Sequence, residues 1–169
     1  MVYVGIVAGI FLLEFGIKTL VEKKRKLNTT KALCNGKILL RKHHNKGIVL
    51  NIGQETPRLV AWISFVLCMG ITLVALIFGK KANKFVKTGL ALLLGGAYSN
   101  TYDRLFRTYV VDYFSFGVKN ARLRRIVFNI ADFCIMIGTI LVLIGGIGNE
   151  NIGKGQICGT SDGGFGSPQ

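Results

Sequence analysis

At 169 residues, half of them hydrophobic, the chain is long enough for one domain and too apolar for an ordinary water-soluble one. Its net charge of +14 would suit nucleic acid, but Lys and Arg fall almost entirely between apolar runs, where anionic lipid head groups account for them. Membrane lipids, not nucleic acid, are the expected partner. The cysteines Cys34, Cys68, Cys134 and Cys158 are scattered and suggest neither a disulfide framework nor a zinc site.

The first apolar run, residues 1–21, has no basic leader and no small-x-small cleavage site after it, so it reads as a retained helix rather than a signal peptide. Glu14 and Lys18 within it stand at i,i+4 in the favourable order and are expected to form a structural pair. The loop from Glu22 to Arg58 contains "KILLRKHHNKGIVLNIG", two apolar-rich arms about Asn45-Lys46-Gly47, which predicts a β-hairpin turning there. His43 and His44 beside that turn have no acidic or Cys cluster around them and read as solvated, not metal-binding.

Residues 59–79 hold no charge, and as a helix at about 1.5 Å per residue they span roughly the 30 Å hydrocarbon core of a bilayer. After the short loop "KKANKFVK" comes a third run, 86–102, whose Gly95, Gly96 and Ala97 would let this helix approach a neighbour closely. The loop from Arg104 to Arg125 carries "YVVDYFSF", a strand by composition. A fourth run covers 126–147, and the glycine-rich stretch 148–169 predicts a disordered tail. The expected fold is therefore a membrane all-α bundle of four transmembrane helices with a small β-cradle on one face. Alternation puts the two long loops on that face, and the short loop and both termini on the other.

Two phrases, "NTYDR" at 100–104 and "NIADF" at 129–133, end and begin adjacent spans on the same side. Asp103 and Asp132 thereby reach similar depth, each with an Asn, Asn100 or Asn129, three residues earlier on its own helix face. Ionisable groups at membrane depth are costly and point to function. Two carboxyls held close share a proton, so that one can take a proton from water while the other hydrogen-bonds a carbonyl oxygen. That is aspartic peptide hydrolysis, with no metal or cofactor.

The segments "GGAYSNTYDRLFRTYVVDYFSF" and "FNIADFCIMIG", with "LEFGIK" and "NKG" ahead of them in order, resemble the signatures of the prolipoprotein signal peptidases, the signal peptidase II family. The resemblance covers residues 1–147. It implies a monomeric, multi-pass aspartyl endopeptidase of the bacterial inner membrane, with its active site near the outer leaflet. Its substrates would be diacylglyceryl-modified prolipoproteins, cut just before the lipidated cysteine. Asp103 and Asp132 would be catalytic, with Asn45, Asn100, Arg104 and Asn129 supporting them or binding substrate, and Asp112 would have structural weight. The chain departs from the usual pattern at Glu14, at Ile48-Val49 and at Ser115.

Charge alone points the other way on orientation. Ten Lys and Arg lie between Lys23 and Arg58 and six between Arg104 and Arg125, against four in the short loop, so a plain positive-inside count would turn the aspartates to the cytoplasm. The orientation implied by the resemblance is preferred. Two other functions use the same features: a non-cleaving paralogue that binds lipidated peptides, and a proton or cation relay.

Overall fold

The computed structural model describes residues 1–27, 29–47 and 53–157, with side chains as far as residue 147. Four long helices make up most of it: α1 (Val2–Lys24), α2 (Pro57–Phe78), α3 (Lys84–Arg107) and α5 (Ile130–Ile157), with a short α4 (Ala121–Arg125) before the last. Pro57 opens α2, where its fixed φ suits the first helical position. Asn83 caps α3 by accepting the Val86 N–H at 2.9 Å, and its amide donates to the Gly145 carbonyl of α5 at 2.8 Å.

Among the described residues, α1, α2 and the 130–147 part of α5 are long and apolar enough to cross a bilayer. Their outward faces expose Leu12, Trp62, Leu76, Phe78 and Leu143. Exposed apolar surface on this scale suits acyl chains and not water. The third expected span falls on α3, which differs in kind. Lys87 and the Gly, Ser, Asn, Thr and Tyr residues between 88 and 102 keep it below that apolar composition, and it buries Gly95, Gly96, Ser99, Asn100, Thr101 and Asp103 against its neighbours. It packs against α1, α2 and α5, and so occupies the middle of the bundle.

Small residues permit that central position. A Cβ at Gly89 would lie 2.7 Å from the Gly138 carbonyl oxygen, and one at Gly138 would lie 2.6 Å from that of Gly89, so the α3 and α5 backbones meet there with no room for a side chain. Gly96 likewise faces the Ala131 carbonyl, and Gly95 faces Ile10 of α1.

Three strands, β1 (Lys31–Leu33), β2 (Ile38–Asn45) and β3 (Val110–Phe116), form an antiparallel sheet in the order β1-β2-β3. Because β2 belongs to the first long loop and β3 to the second, their pairing brings both loops to one end of the bundle, as alternation of the helices requires. The sheet rests on the end of α1, with Val21, Val111 and Tyr113 buried together.

A hairpin not expected from the sequence lies upstream of Asn45. Its turn is at Cys34–Lys37, between β1 and β2, where Cys34, Asn35 and Gly36 take φ of 51°, 54° and 81°. Asn-Gly suits this left-handed geometry. Asn45 ends β2 opposite Val110 of β3 and makes an Asx turn with Gly47. The expected second arm at 48–52, including the divergent Ile48 and Val49, lies outside the described residues. The fourth helix starts at Ile130 rather than 126 because Phe128 is held extended by a bridge to Phe114. It continues to Ile157, past the expected start of a disordered tail at 148. Residues 158–169 lie outside the described part.

Close backbone packing of α3 on α5 makes Gly138 intolerant of bulk. Gly138→Leu should lower stability by about 1–3 kcal/mol through overpacking, read as a fall in the thermal unfolding midpoint in detergent, and an unchanged midpoint would contradict the packing described.

Candidate active site

The site begins at the N-terminus of α5. Asn129 and Asp132 cap one another: the Asp132 N–H donates to Asn129 Oδ1 and the Asn129 N–H donates to Asp132 Oδ2, both at 3.0 Å. This is a reciprocal capping box, which satisfies two otherwise orphan amides and sets a carboxylate in the first turn, where the helix dipole favours negative charge. The Asn129 side-chain amide then donates to Asp112 Oδ1 of β3 at 2.7 Å. A single buried asparagine thus ties the two carboxyl groups together.

Two further amides complete their shells. Asn100 Nδ2 donates to Asp132 Oδ1 at 2.9 Å, and Asn45 Nδ2 donates to Asp112 Oδ2 at 3.1 Å. Asn45 is itself fixed by accepting the Gly47 N–H at 3.1 Å, an Asx turn at the end of β2. Asp112, Asp132, Asn45, Asn100 and Arg104 all line one cavity of about 420 Å³, whose remaining wall includes Ile135 and Met136. Burial, and then the charge of Asp132, push the Asp112 carboxyl up to about 7, against the opposing hydrogen bonds from Asn129 and Asn45.

Asp103, which the sequence pairs with Asp132, has a different setting. It is 2% exposed and is not among the described residues that line this cavity. Its Oδ2 meets Lys18 Nζ at 3.1 Å and accepts the Val111 N–H at 3.2 Å, and its Oδ1 meets Arg107 at 3.4 Å. With two cations and a backbone amide around it, Asp103 anchors β3 one residue before Asp112. Asn100, likewise, does not serve the aspartate of its own tetrad. It reaches across to Asp132 and accepts from Lys18 at 2.8 Å. Asp112, a carboxylate in the apolar strand "YVVDYFSF", stands beside Asp132 on this cavity where the sequence pairing would have put Asp103.

Lys18 of α1, next to Asp103, is 1% exposed. Besides Asp103 and Asn100 it meets Ser99 Oγ at 2.9 Å and Glu14 Oε2 at 3.4 Å. The expected pair of Glu14 and Lys18 is present, but as part of a larger buried network. The Tyr113 hydroxyl donates to Glu14 Oε1 and accepts the Ile130 N–H at 3.0 Å, which links α1 to the start of α5. Burial, and then Glu14, raise the Tyr113 phenol well above its usual range, so it stays a donor. Arg104 donates from Nη2 to the Gly47 carbonyl at 3.2 Å, while its buried Nε has no hydrogen-bond partner among the described residues. Ser115 is wholly buried, and its hydroxyl also lacks one.

The histidines are less solvated than expected. His44 Nε2 meets Glu22 at 3.0 Å and its ring stacks on Tyr109 at 3.8 Å, which fastens β2 to the end of α1. His43 is half-buried, and burial lowers its pKa.

Apolar outward faces, a sheet capping one end and two coupled carboxyl groups over a cavity together describe a multi-pass membrane protein with a site of enzymatic type. Residues 6–147 match the family described as Signal peptidase (SPase) II, and the chain belongs to that family. It is 34% identical over 127 residues to a lipoprotein signal peptidase of Bacillus pumilus, covering 75% of this chain and 80% of that protein. It is 38% identical over 100 residues to one of Clostridium acetobutylicum, covering 59% of this chain and 64%, just under two thirds, of that protein. A solved bacterial membrane enzyme has the same fold, with a TM-score of 0.75 at 20% identity over 98% of this chain and 94% of the other.

Removing the buried cation should be costly. Lys18→Met leaves Glu14 and Asp103 buried without it, and should cost about 3–5 kcal/mol in a detergent unfolding titration. Lys18→Met with Glu14→Gln should recover part of that loss. Equal stability of Lys18→Met and the parent would show that the network is not what holds α1 to α3.

Proposed function

We propose that the protein is a lipoprotein signal peptidase of the aspartic type, and that Asp112 and Asp132 are its acid–base pair. On this reading it cuts diacylglyceryl-modified prolipoproteins just before the lipidated cysteine. The observation that carries the pairing is that Asp112 and Asp132 face one cavity and are joined through Asn129. Asp103 is instead taken up by Lys18 and Arg107. We therefore reassign Asp103 from catalysis to positioning.

Asp132 is the base. It takes a proton from a water that attacks the scissile carbonyl carbon, while Asp112, which holds its proton near neutrality, donates it to the carbonyl oxygen. Collapse of the tetrahedral intermediate breaks the C–N bond. Asp132 returns its proton to the leaving amine of the lipidated cysteine, and Asp112 recovers one from the intermediate's hydroxyl, leaving a carboxylic acid on the signal peptide. Arg104 lines the cavity, and its guanidinium would steady a substrate carbonyl there. The apolar wall of Ile135 and Met136 suits the lipid-linked part of the substrate, which would arrive laterally from the bilayer.

In this reading α3 is a fourth crossing. Its polar residues are buried against other helices or gathered at its ends, which makes their membrane depth tolerable. The protein would be a monomer in the bacterial inner membrane, with the sheet and the aspartates at the outer leaflet and no cofactor in the reaction.

Purified protein and a synthetic diacylglyceryl prolipoprotein peptide test this. Asp112→Asn and Asp132→Asn should each fold and reduce cleavage by at least about a thousandfold, the scale of losing an essential proton-transfer group. Asp103→Asn should be less stable but keep measurable turnover per folded molecule. Full activity of Asp112→Asn would overturn the pairing, and binding without cleavage by the parent protein would favour the non-cleaving paralogue.

The same chemistry fixes the sign of the pH dependence. Because Asp112 must enter the cycle protonated, kcat/KM should decline as pH rises through about 7. A profile that instead rises through that range would reverse the assigned roles.

A further inference from the structure

Asp112 borders two cavities. Beside the one it shares with Asp132 is a second, of about 460 Å³, lined by His43 of β2 and by Arg122 and Arg125 of α4. Both cavities include Asn45, Asp112, Ile126 and Val127, so the Asn45–Asp112 hydrogen bond stands on the rim between them. Their characters differ. The first is set between α3 and α5 and has the apolar wall of Ile135 and Met136, whereas the second is built from the sheet and α4.

The second cavity is electropositive. Arg122 and Arg125 are three apart and share a face of α4, while Arg124 falls off that face. Among the described residues neither guanidinium has a carboxylate partner. Arg125 makes one local bond, from Nε to the Ala121 carbonyl at 3.3 Å. His43 adds little charge near neutrality because burial lowers its pKa. Asn120 caps α4 by accepting the Arg122 N–H at 2.9 Å, which holds this arginine-bearing turn in place.

We propose that this cavity receives the substrate just C-terminal to the lipidated cysteine, and that Arg122 and Arg125 select acidic side chains there. The inference rests on the peptidase reading above. A peptide whose scissile bond lies at Asp112 and Asp132 must extend to both sides of it. Its lipid-linked and signal portions match the apolar cavity between helices. The polar chain that continues into water then passes over the rim toward the two arginines, where a carboxylate meets unpaired guanidinium groups.

The test uses synthetic diacylglyceryl peptides that differ only in the residues following the lipidated cysteine: Asp-Glu, Ser-Gln or Lys-Lys. At low salt the acidic peptide should show about three- to tenfold higher kcat/KM than the neutral one, the scale of one or two partly exposed ion pairs. The lysine peptide should be the slowest, and added salt should shrink the spread. In R122A/R125A the acidic-to-neutral ratio should fall to about one, and in R124A most of it should remain. Because each ratio is taken within one variant, a general loss of folding cancels.

Equal rates for the acidic and neutral peptides in the parent protein would overturn the inference while leaving the peptidase reading intact. So would a ratio that survives in R122A/R125A. Loss of the ratio in nanodiscs containing phosphatidylglycerol would assign the cavity to a lipid head group instead. If no peptide is cut, the peptidase reading fails, and the charge preference is read from fluorescence anisotropy of the same peptides binding, where equal affinities overturn it.

Discussion

Everything at the sheet end of the bundle depends on one buried ammonium group. Lys18 Nζ, almost wholly excluded from solvent, is held by the carboxylates of Glu14 and Asp103 and by the oxygens of Ser99 and Asn100. An isolated charge in such a place would be expensive, and only a full set of partners makes it tolerable. Those partners come from α1 and α3, so a single cation fixes how these helices meet. Its effect also travels outward: Asn100, oriented by Lys18, presents its amide to Asp132, and Asp103, held by Lys18 and Arg107, grips the backbone where β3 begins.

This arrangement places three aspartates of one chemistry in two settings. Asp103 is surrounded by cations and a backbone amide, an environment in which its charge is neutralised and its oxygens are occupied. Asp112 and Asp132 take most of their hydrogen bonds from neutral asparagine amides and face a cavity. Neutral donors orient a carboxyl group without fully cancelling its charge, so two such groups joined through Asn129 still influence each other. That mutual influence, with burial, keeps a proton on Asp112 near neutral pH.

The long apolar segments were legible because span length follows directly from bilayer thickness, and the shared face of the two long loops followed from alternation. Both Asn-x-x-Asp tetrads were visible too, but their meaning was only half readable. In "NIADF" the spacing is a local capping box, and local hydrogen bonds follow from local sequence. In "NTYDR" the same spacing is resolved by contacts to residues about eighty positions away, Lys18 foremost, which no window along the chain contains. Asp112 was given only structural weight because it lies in a strand rich in β-branched and aromatic residues, and its place on the cavity depends on how the strand packs against α5. The Asn35-Gly36 turn was a readable local signal that the sequence reading did not use.

The polar character of α3 follows from the same constraint. A helix in the middle of a bundle touches protein rather than lipid on most sides, so it can carry Ser99, Asn100, Thr101 and Asp103 where a lipid-facing helix could not. The glycines that let α5 approach at Gly89 and Gly96 also bring Asn100 within reach of Asp132. With bulkier residues there the helices would part by more than a hydrogen bond tolerates, and Asp132 would lose the amide that orients it. Close packing in the apolar half of the bundle and chemistry at its polar end are thus one geometric requirement, met by small residues on the helix that supplies both.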